Sequence, residues 1–154
     1  MEQSKSTYSV NMFRICIDVC GEYISGSAHS PLCREEIAFT GIGELLLKMD
    51  KLFDSIGYPQ AFQNKRSFEE IKSADNAYRG IPKPIRTAEE ILEKCGELCT
   101  YDIEVISRRN TSWQGIIYDT DGAEKARFDG DVKLLEKLAE FAKQKEKQIG
   151  TEMV

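Results

Sequence analysis

The chain has 154 residues, of which 41% are hydrophobic and 31% are charged, and its net charge is −5. These values predict a single domain, 1–154, with a core that needs no disulfide or metal, and they exclude wholesale disorder. No apolar run approaches the ~20 residues of a membrane span, and the first residues lack the apolar stretch of a signal peptide. The acidic balance argues against nucleic-acid binding. We therefore expect a cytoplasmic protein with no membrane or nucleic-acid partner.

The first part of the chain predicts three strands followed by a helix. Apolar residues alternate over 12–19, which indicates a strand, and further strands over 23–29 and 35–39 follow polar turns. Apolar residues at helical spacing then start after Gly41, and Gly57 with Pro59 is expected to end this helix.

A connector, 58–99, separates this unit from the rest. It is expected to hold a short capped helix over 67–72 and an extended, proline-rich stretch over 81–85. Thr87 and Glu90 then form the signature of a capping box, which predicts a helix through about Cys95. The connector is long enough to cross one face of the domain.

The last part of the chain repeats the pattern of the first. Strands are predicted over 101–106, 113–118 and 124–128, with Asp121 and Gly122 marking a hairpin turn, and a helix follows Gly130. With an offset of 89 residues, 13–54 aligns on 102–143 without a gap. Identical residues are then found at Ile17, Gly26, Glu35, Phe39, Gly41, Leu45, Leu46 and Lys48.

We therefore predict an α+β fold built from an internally duplicated βββα unit, 11–57 and 100–148. The units form a mostly antiparallel sheet with helices packed on one face. The paired glycines Gly26 and Gly115 indicate a bulge or a close backbone approach. The strand order stays open, because a continuous sheet and two facing sheets both satisfy the repeat.

The motif Ser112-Trp113-Gln114-Gly115, followed by a strand and a leucine-containing helix, resembles a family of small Firmicutes proteins of no assigned function. The resemblance covers 101–143. It implies a bacterial protein with a βββα unit and implies no activity. The chain departs from the family at Val132, where the family helix begins Leu-Glu-Leu, and the first unit keeps only Gly26 of the motif.

Residues around the single tryptophan form the candidate partner-binding patch. Trp, Tyr and Arg are the residue types most often found in interface hot spots. The patch comprises Trp113, Gln114, Arg108, Arg109 and Tyr118. The alternative is that Trp113 packs under a helix and that the arginines are solvated turn residues.

The chain offers few side chains for a catalytic or metal site. His29 is the only histidine, so a Cys–His or Ser–His mechanism would need it, and its position indicates polar surface. The acids of the last hairpin, Asp119, Asp121, Glu124 and Asp129, are typical of turns. We expect no catalytic residue, no metal and no cofactor.

The cysteines are five in number and no pair has Cys-x-x-Cys spacing, which indicates free thiols in a reducing compartment. A zinc site made by His29, Cys33, Cys95 and Cys99 is conceivable, although nothing sets the register of the two pairs.

The function expected from the sequence is that of a non-enzymatic binding or regulatory domain. It would recognise a protein partner through the open face of the sheet, or self-associate as a homodimer. The alternative is a small ligand-binding protein or enzyme with a pocket between the sheet and the connector, using His29, Cys33 or the carboxylates.

Overall fold

The computed structural model describes residues 8–56, 61–62, 82–109 and 112–152. The strands are β1 (Met12–Cys20), β2 (Ile24–His29), β3 (Ile37–Thr40), β4 (Ala61–Phe62), β5 (Cys99–Arg109), β6 (Gln114–Tyr118) and β7 (Glu124–Phe128). The helices are α1 (Ile42–Ile56), α2 (Ala88–Leu92) and α3 (Asp131–Glu152).

Six strands form one continuous antiparallel sheet in the order β3-β2-β1-β5-β6-β7, and β4 pairs in parallel with the end of β5. The predicted α+β class is confirmed, and the continuous sheet resolves the strand order that the sequence left open. Strands β1 and β5 lie antiparallel at the centre, with Ile15 opposite Tyr101. The halves before and after the connector thus have the same element order, whereas their origin by duplication stays a prediction.

Two glycines allow neighbouring strands to approach at equivalent places in the halves. A Cβ atom added at Gly26 would overlap the carbonyl oxygen of Cys16, and one added at Gly115 would overlap that of Glu104. Each glycine lies beside a shift in the strand-pairing register, which follows Ile17 in β1 and Val105 in β5. The close approach predicted for this glycine pair is confirmed.

One face of the sheet carries the main core, which α1 and α3 cover. Alternate strand residues such as Phe13, Ile15 and Ile103 are fully buried there, with Leu45 of α1 and Leu134 of α3. The two long helices therefore pack on the same face, as the amphipathic patterns predict.

The opposite face, called here the second face, carries the residues that alternate with these core positions. The segment 82–98, which includes α2, covers its centre, because Arg14 Nη1 donates to the carbonyl oxygens of Leu92 and Lys94. The capping box of Thr87 and Glu90 is present. However, α2 ends at Leu92 rather than near Cys95, because the chain turns into the approach to β5.

Some predicted features lie outside the described residues: the helix stop at Gly57 and Pro59, the helix over 67–72, and Ile81 at the start of the extended stretch. Across the described ranges, none of the helices combines the length and the apolar character needed to cross a bilayer.

Candidate functional site

The second face contains a cleft of about 500 Å³ beside the covering segment. Strands β1, β5 and β6 form its floor. Its walls are formed by Tyr8, by Leu92 at the end of α2, and by the β6–β7 turn at 120–122. Cavities of roughly 300–1,000 Å³ are typical of small-molecule sites. The cleft is therefore large enough for a small organic ligand or a long side chain.

A buried ion pair forms the inner wall of the cleft. Arg14 donates from Nε to Asp102 Oδ1 at 2.9 Å and from Nη2 to Asp102 Oδ2 at 2.8 Å. The Tyr8 hydroxyl donates to Asp102 Oδ1 at 2.9 Å, and its burial together with Asp102 raises the pKa of this phenol. Because Arg14 neutralises Asp102, this pair anchors the wall and adds little net charge to the cleft.

Glu104 and Tyr118 form a second polar pair in the cleft. The Tyr118 hydroxyl donates to Glu104 Oε1 at 2.7 Å. Burial and this carboxylate raise the pKa of Tyr118 to about 12, so the phenol stays protonated at neutral pH. Both residues lie on neighbouring strands, with Asp102 opposite Tyr118 and Glu104 opposite Ile116. The hydrogen-bonded strands β5 and β6 therefore position both side chains.

The cleft combines negative charge with an apolar surface. Of its three carboxylates, Asp102 is paired with Arg14, whereas Glu104 and Asp121 form no ion pair with a described residue and interact electrostatically with the more distant Arg127 and Lys125. Met12 and Leu92 supply apolar lining. Such a site attracts a cation that also carries hydrocarbon, and the Tyr118 ring can add a cation–π contact.

The structure does not place the predicted partner-binding residues on one exposed surface. Trp113 is 1% exposed and Arg108 is 2% exposed. Trp113 packs between Phe13 and Phe53, and its Nε1 donates to Asp50 Oδ1 at 3.0 Å. The alternative proposed for Trp113, packing under a helix, is therefore the arrangement observed.

Arg108 is likewise part of the α1 contact and is not a solvated turn residue. Its Nη1 donates to Asp50 Oδ1 at 2.9 Å and to Asp54 Oδ1 at 3.0 Å. The guanidinium also lies over the Phe53 ring. Arg108 therefore joins β5 to α1, and a partner could reach it only if α1 moved.

The remaining three residues of the patch are dispersed. Gln114 is half-buried and accepts from Ser107, whereas Tyr118 lies in the second-face cleft. The side chain of Arg109 lies outside the described residues. The structure thus places Trp113 and Arg108 in a buried cluster and Tyr118 in a separate cleft, and partner binding by these residues stays a prediction.

The conceivable zinc ligands are not brought together. Cys99 is buried in the main core, Cys95 is exposed, and Cys33 is half-buried. His29 is buried rather than polar surface, because the covering segment packs over the end of β2. Among the residues that the structure describes, no three His, Cys, Asp or Glu side chains are grouped so that they could hold a metal ion.

Glu104, Asp102 and Arg14 were not predicted as site residues from the sequence. A signal was present, because charged residues alternate with buried apolar ones in β1 and β5 and so fall together on the second face. The sequence could not show that Tyr8 forms a wall of the cleft, because its hydrogen-bond partner Asp102 is 94 positions away in the chain.

No family model, curated protein or solved structure matches the chain. The resemblance to the Firmicutes proteins with the Ser-Trp-Gln-Gly motif therefore stays a prediction.

Proposed function

We propose that this chain is a binding domain that takes a positively charged group of a small organic ligand into the second-face cleft. The observation that carries the proposal is the Glu104 carboxylate. Among the described residues it accepts a hydrogen bond only at Oε1, from Tyr118, which leaves Oε2 to accept from a ligand. The proposal involves binding and no chemical step.

The surroundings of Glu104 favour a primary amine or a guanidine with an attached hydrocarbon group. Both head groups donate hydrogen bonds to a carboxylate, and a charge-assisted bond of this kind contributes about 1.5–3 kcal/mol. Met12 and Leu92 would contact the hydrocarbon part of the ligand. Asp121, in the exposed turn, adds long-range attraction for a cation.

The test compares benzylamine and benzylguanidine with the neutral benzyl alcohol by isothermal titration calorimetry. We expect the two cations to bind and the alcohol to bind much more weakly. Glu104→Gln should weaken cation binding about tenfold or more, whereas Glu140→Gln, on the exposed side of α3, should not. Equal binding of cation and alcohol, or equal affinities in both variants, would contradict the proposal.

A second candidate is a protein partner that inserts a lysine or arginine side chain into the same cleft. The exposed β6–β7 turn favours it, since this wall leaves room for a polypeptide to approach. A lysine-containing peptide should then bind more tightly than benzylamine and lose affinity in Glu104→Gln. Recognition of a partner, or formation of a homodimer, is proposed on this basis in place of the Trp113 patch.

The same proposal includes a cytoplasmic location, no nucleic-acid partner and origin by duplication. A cytoplasmic location is supported by the free state of Cys16, Cys20, Cys33, Cys95 and Cys99. The absence of a nucleic-acid partner is supported by the net charge of −5. Origin by duplication is supported by the matching strand order on each side of the β1–β5 pair.

A further inference from the structure

Within the described part of the chain, two buried polar atoms on the β2 side of the second face have no hydrogen-bond partner: His29 Nδ1 and Arg86 Nη1. The residues are 4% and 9% exposed. The Arg86 side chain forms no hydrogen bond or ion pair with a described residue, whereas the other two buried arginines, Arg14 and Arg108, are each paired with a carboxylate. Burial of an unpaired charge is costly, so a counterion that reached Arg86 would stabilise the fold.

Backbone hydrogen bonds hold the segment that carries Arg86 beside the end of β2, where His29 lies. The amides of Ile85 and Arg86 both donate to the carbonyl oxygen of Pro31, at 2.7 and 3.3 Å. Pro31 lies in the turn that directly follows His29, so the covering segment is fixed beside the end of β2. Arg86 is also the nearby charge that most strongly affects His29, whose pKa is lowered by burial and by this guanidinium.

We propose that Arg86 and His29 form a binding site for an oxyanion, namely a phosphate, sulfate or carboxylate group. A guanidinium only donates hydrogen bonds, and imidazole Nδ1 donates in one neutral tautomer and in the protonated form. An oxyanion can accept from both atoms and neutralise Arg86. A water molecule could meet the hydrogen bonds but would leave the buried charge without a counterion.

This site is distinct from the cleft that contains Glu104. His29 is on β2 and Glu104 is on β5, and β1, which carries Arg14, lies between these two strands. The two sites also prefer opposite charges. Failure of one proposal therefore leaves the other standing, and a variant at one site serves as a control for the other.

The first experiment measures the melting temperature in sulfate, inorganic phosphate or acetate against sodium chloride of matched ionic strength. We expect at least one oxyanion to raise the melting temperature of the wild type above the chloride value. Stabilisation by acetate alone would identify a carboxylate as the ligand group. Sulfate and phosphate stabilise folded proteins in general, so they would identify a tetrahedral oxyanion only if the rise saturates at low concentration and is lost in Arg86→Gln. No response beyond chloride would overturn the proposal.

Arg86→Gln gives the decisive comparison. The variant should bind the oxyanion about tenfold more weakly or worse by calorimetry, while Arg127→Gln, an exposed arginine on β7, and Glu104→Gln should bind as the wild type does. Without oxyanions, Arg86→Gln should melt at or above the wild-type temperature, because it removes an unpaired buried charge. A variant that melts lower in chloride, or that keeps the oxyanion response, would show that the guanidinium has another role.

Sulfate affinity should also rise as the pH falls, because an anion favours the protonated form of His29. The charged groups around this imidazole are Arg86, Lys94 and Arg14, which oppose protonation, and Glu36, whose Oε1 lies 4.0 Å from Nε2 and favours it. Sulfate keeps its charge between about pH 8 and pH 5, so a change in its affinity over this range reports protonation of the protein. The rise should disappear in His29→Gln, and a pH-independent affinity in the wild type would remove His29 from the site.

Discussion

The Arg14–Asp102 pair allows a quantitative prediction about the second face. Arg14 is 3% exposed and donates two hydrogen bonds to Asp102, so Asp102→Asn leaves a buried guanidinium without a counterion. Breaking a buried ion pair by removing one partner costs about 3–5 kcal/mol. A domain of this size loses about 2–4 °C for each kcal/mol. We therefore expect Asp102→Asn to lower the melting temperature by about 6–20 °C.

The assays are thermal unfolding for the melting temperature and urea unfolding for the free energy, both followed by the fluorescence of Trp113, the single tryptophan, which is buried and becomes hydrated on unfolding. The double variant Arg14→Met with Asp102→Leu removes both charges and should regain at least half of the lost stability, because no unpaired charge remains. The control is Glu124→Gln, which breaks an exposed pair with Arg127 and should cost less than about 1 kcal/mol. A cost for Asp102→Asn no larger than that of the control would refute the reasoning.

Three further predictions test the fold and the titratable groups. Gly115→Ala should destabilise the protein by at least about 2 kcal/mol, because its Cβ would overlap the Glu104 carbonyl, whereas Gly43→Ala in α1 meets no atom and should stabilise it by about 0.5–1 kcal/mol; equal urea midpoints would contradict this. A thiol reagent should label the exposed Cys95 first and Cys16 only on unfolding, because burial raises the pKa of Cys16 to about 11; rapid labelling of Cys16 in the native protein would contradict its burial. Burial lowers the pKa of His29, so the unfolded chain binds the proton more readily and stability should fall as the pH drops below about 6.5; the fall should be smaller in His29→Gln, and an identical profile in that variant would assign the loss to other groups.

The elements were predictable because their signals are local. The alternation in β1, the capping box at Thr87 and the leucine periodicities of α1 and α3 each depend on neighbouring residues. The glycine pair was predictable from the offset alignment, since a close approach between strands excludes a Cβ in both halves. These features required no knowledge of contacts between distant parts of the chain.

The site was not predictable to the same degree because its contacts are long-range. Trp113 was placed in a surface patch by its residue type, yet its nitrogen finds Asp50 in α1, 63 positions away. Arg14 meets Asp102 across 88 positions, a distance that only the β1–β5 pairing sets. Residue type alone cannot distinguish an arginine that binds a partner from one that joins two elements of the same chain.

The segment 82–98 explains why both candidate sites lie on the second face. A long amphipathic helix would have sealed this face with a second core, as α1 and α3 seal the first. The observed cover instead contains a helix of five residues, in which Ile91 is the buried residue. Polar side chains under such a short cover must either pair with one another, as Arg14 and Asp102 do, or remain available at its margins. Arg86 lies just before α2 and contacts the turn after β2, whereas Leu92 is the last residue of α2 and lines the Glu104 cleft. The two proposed ligand preferences thus have one structural cause: among the described residues, Arg14 and Asp102 are paired beneath the cover, whereas Arg86 has no counterion and Glu104 has no ion-pair partner.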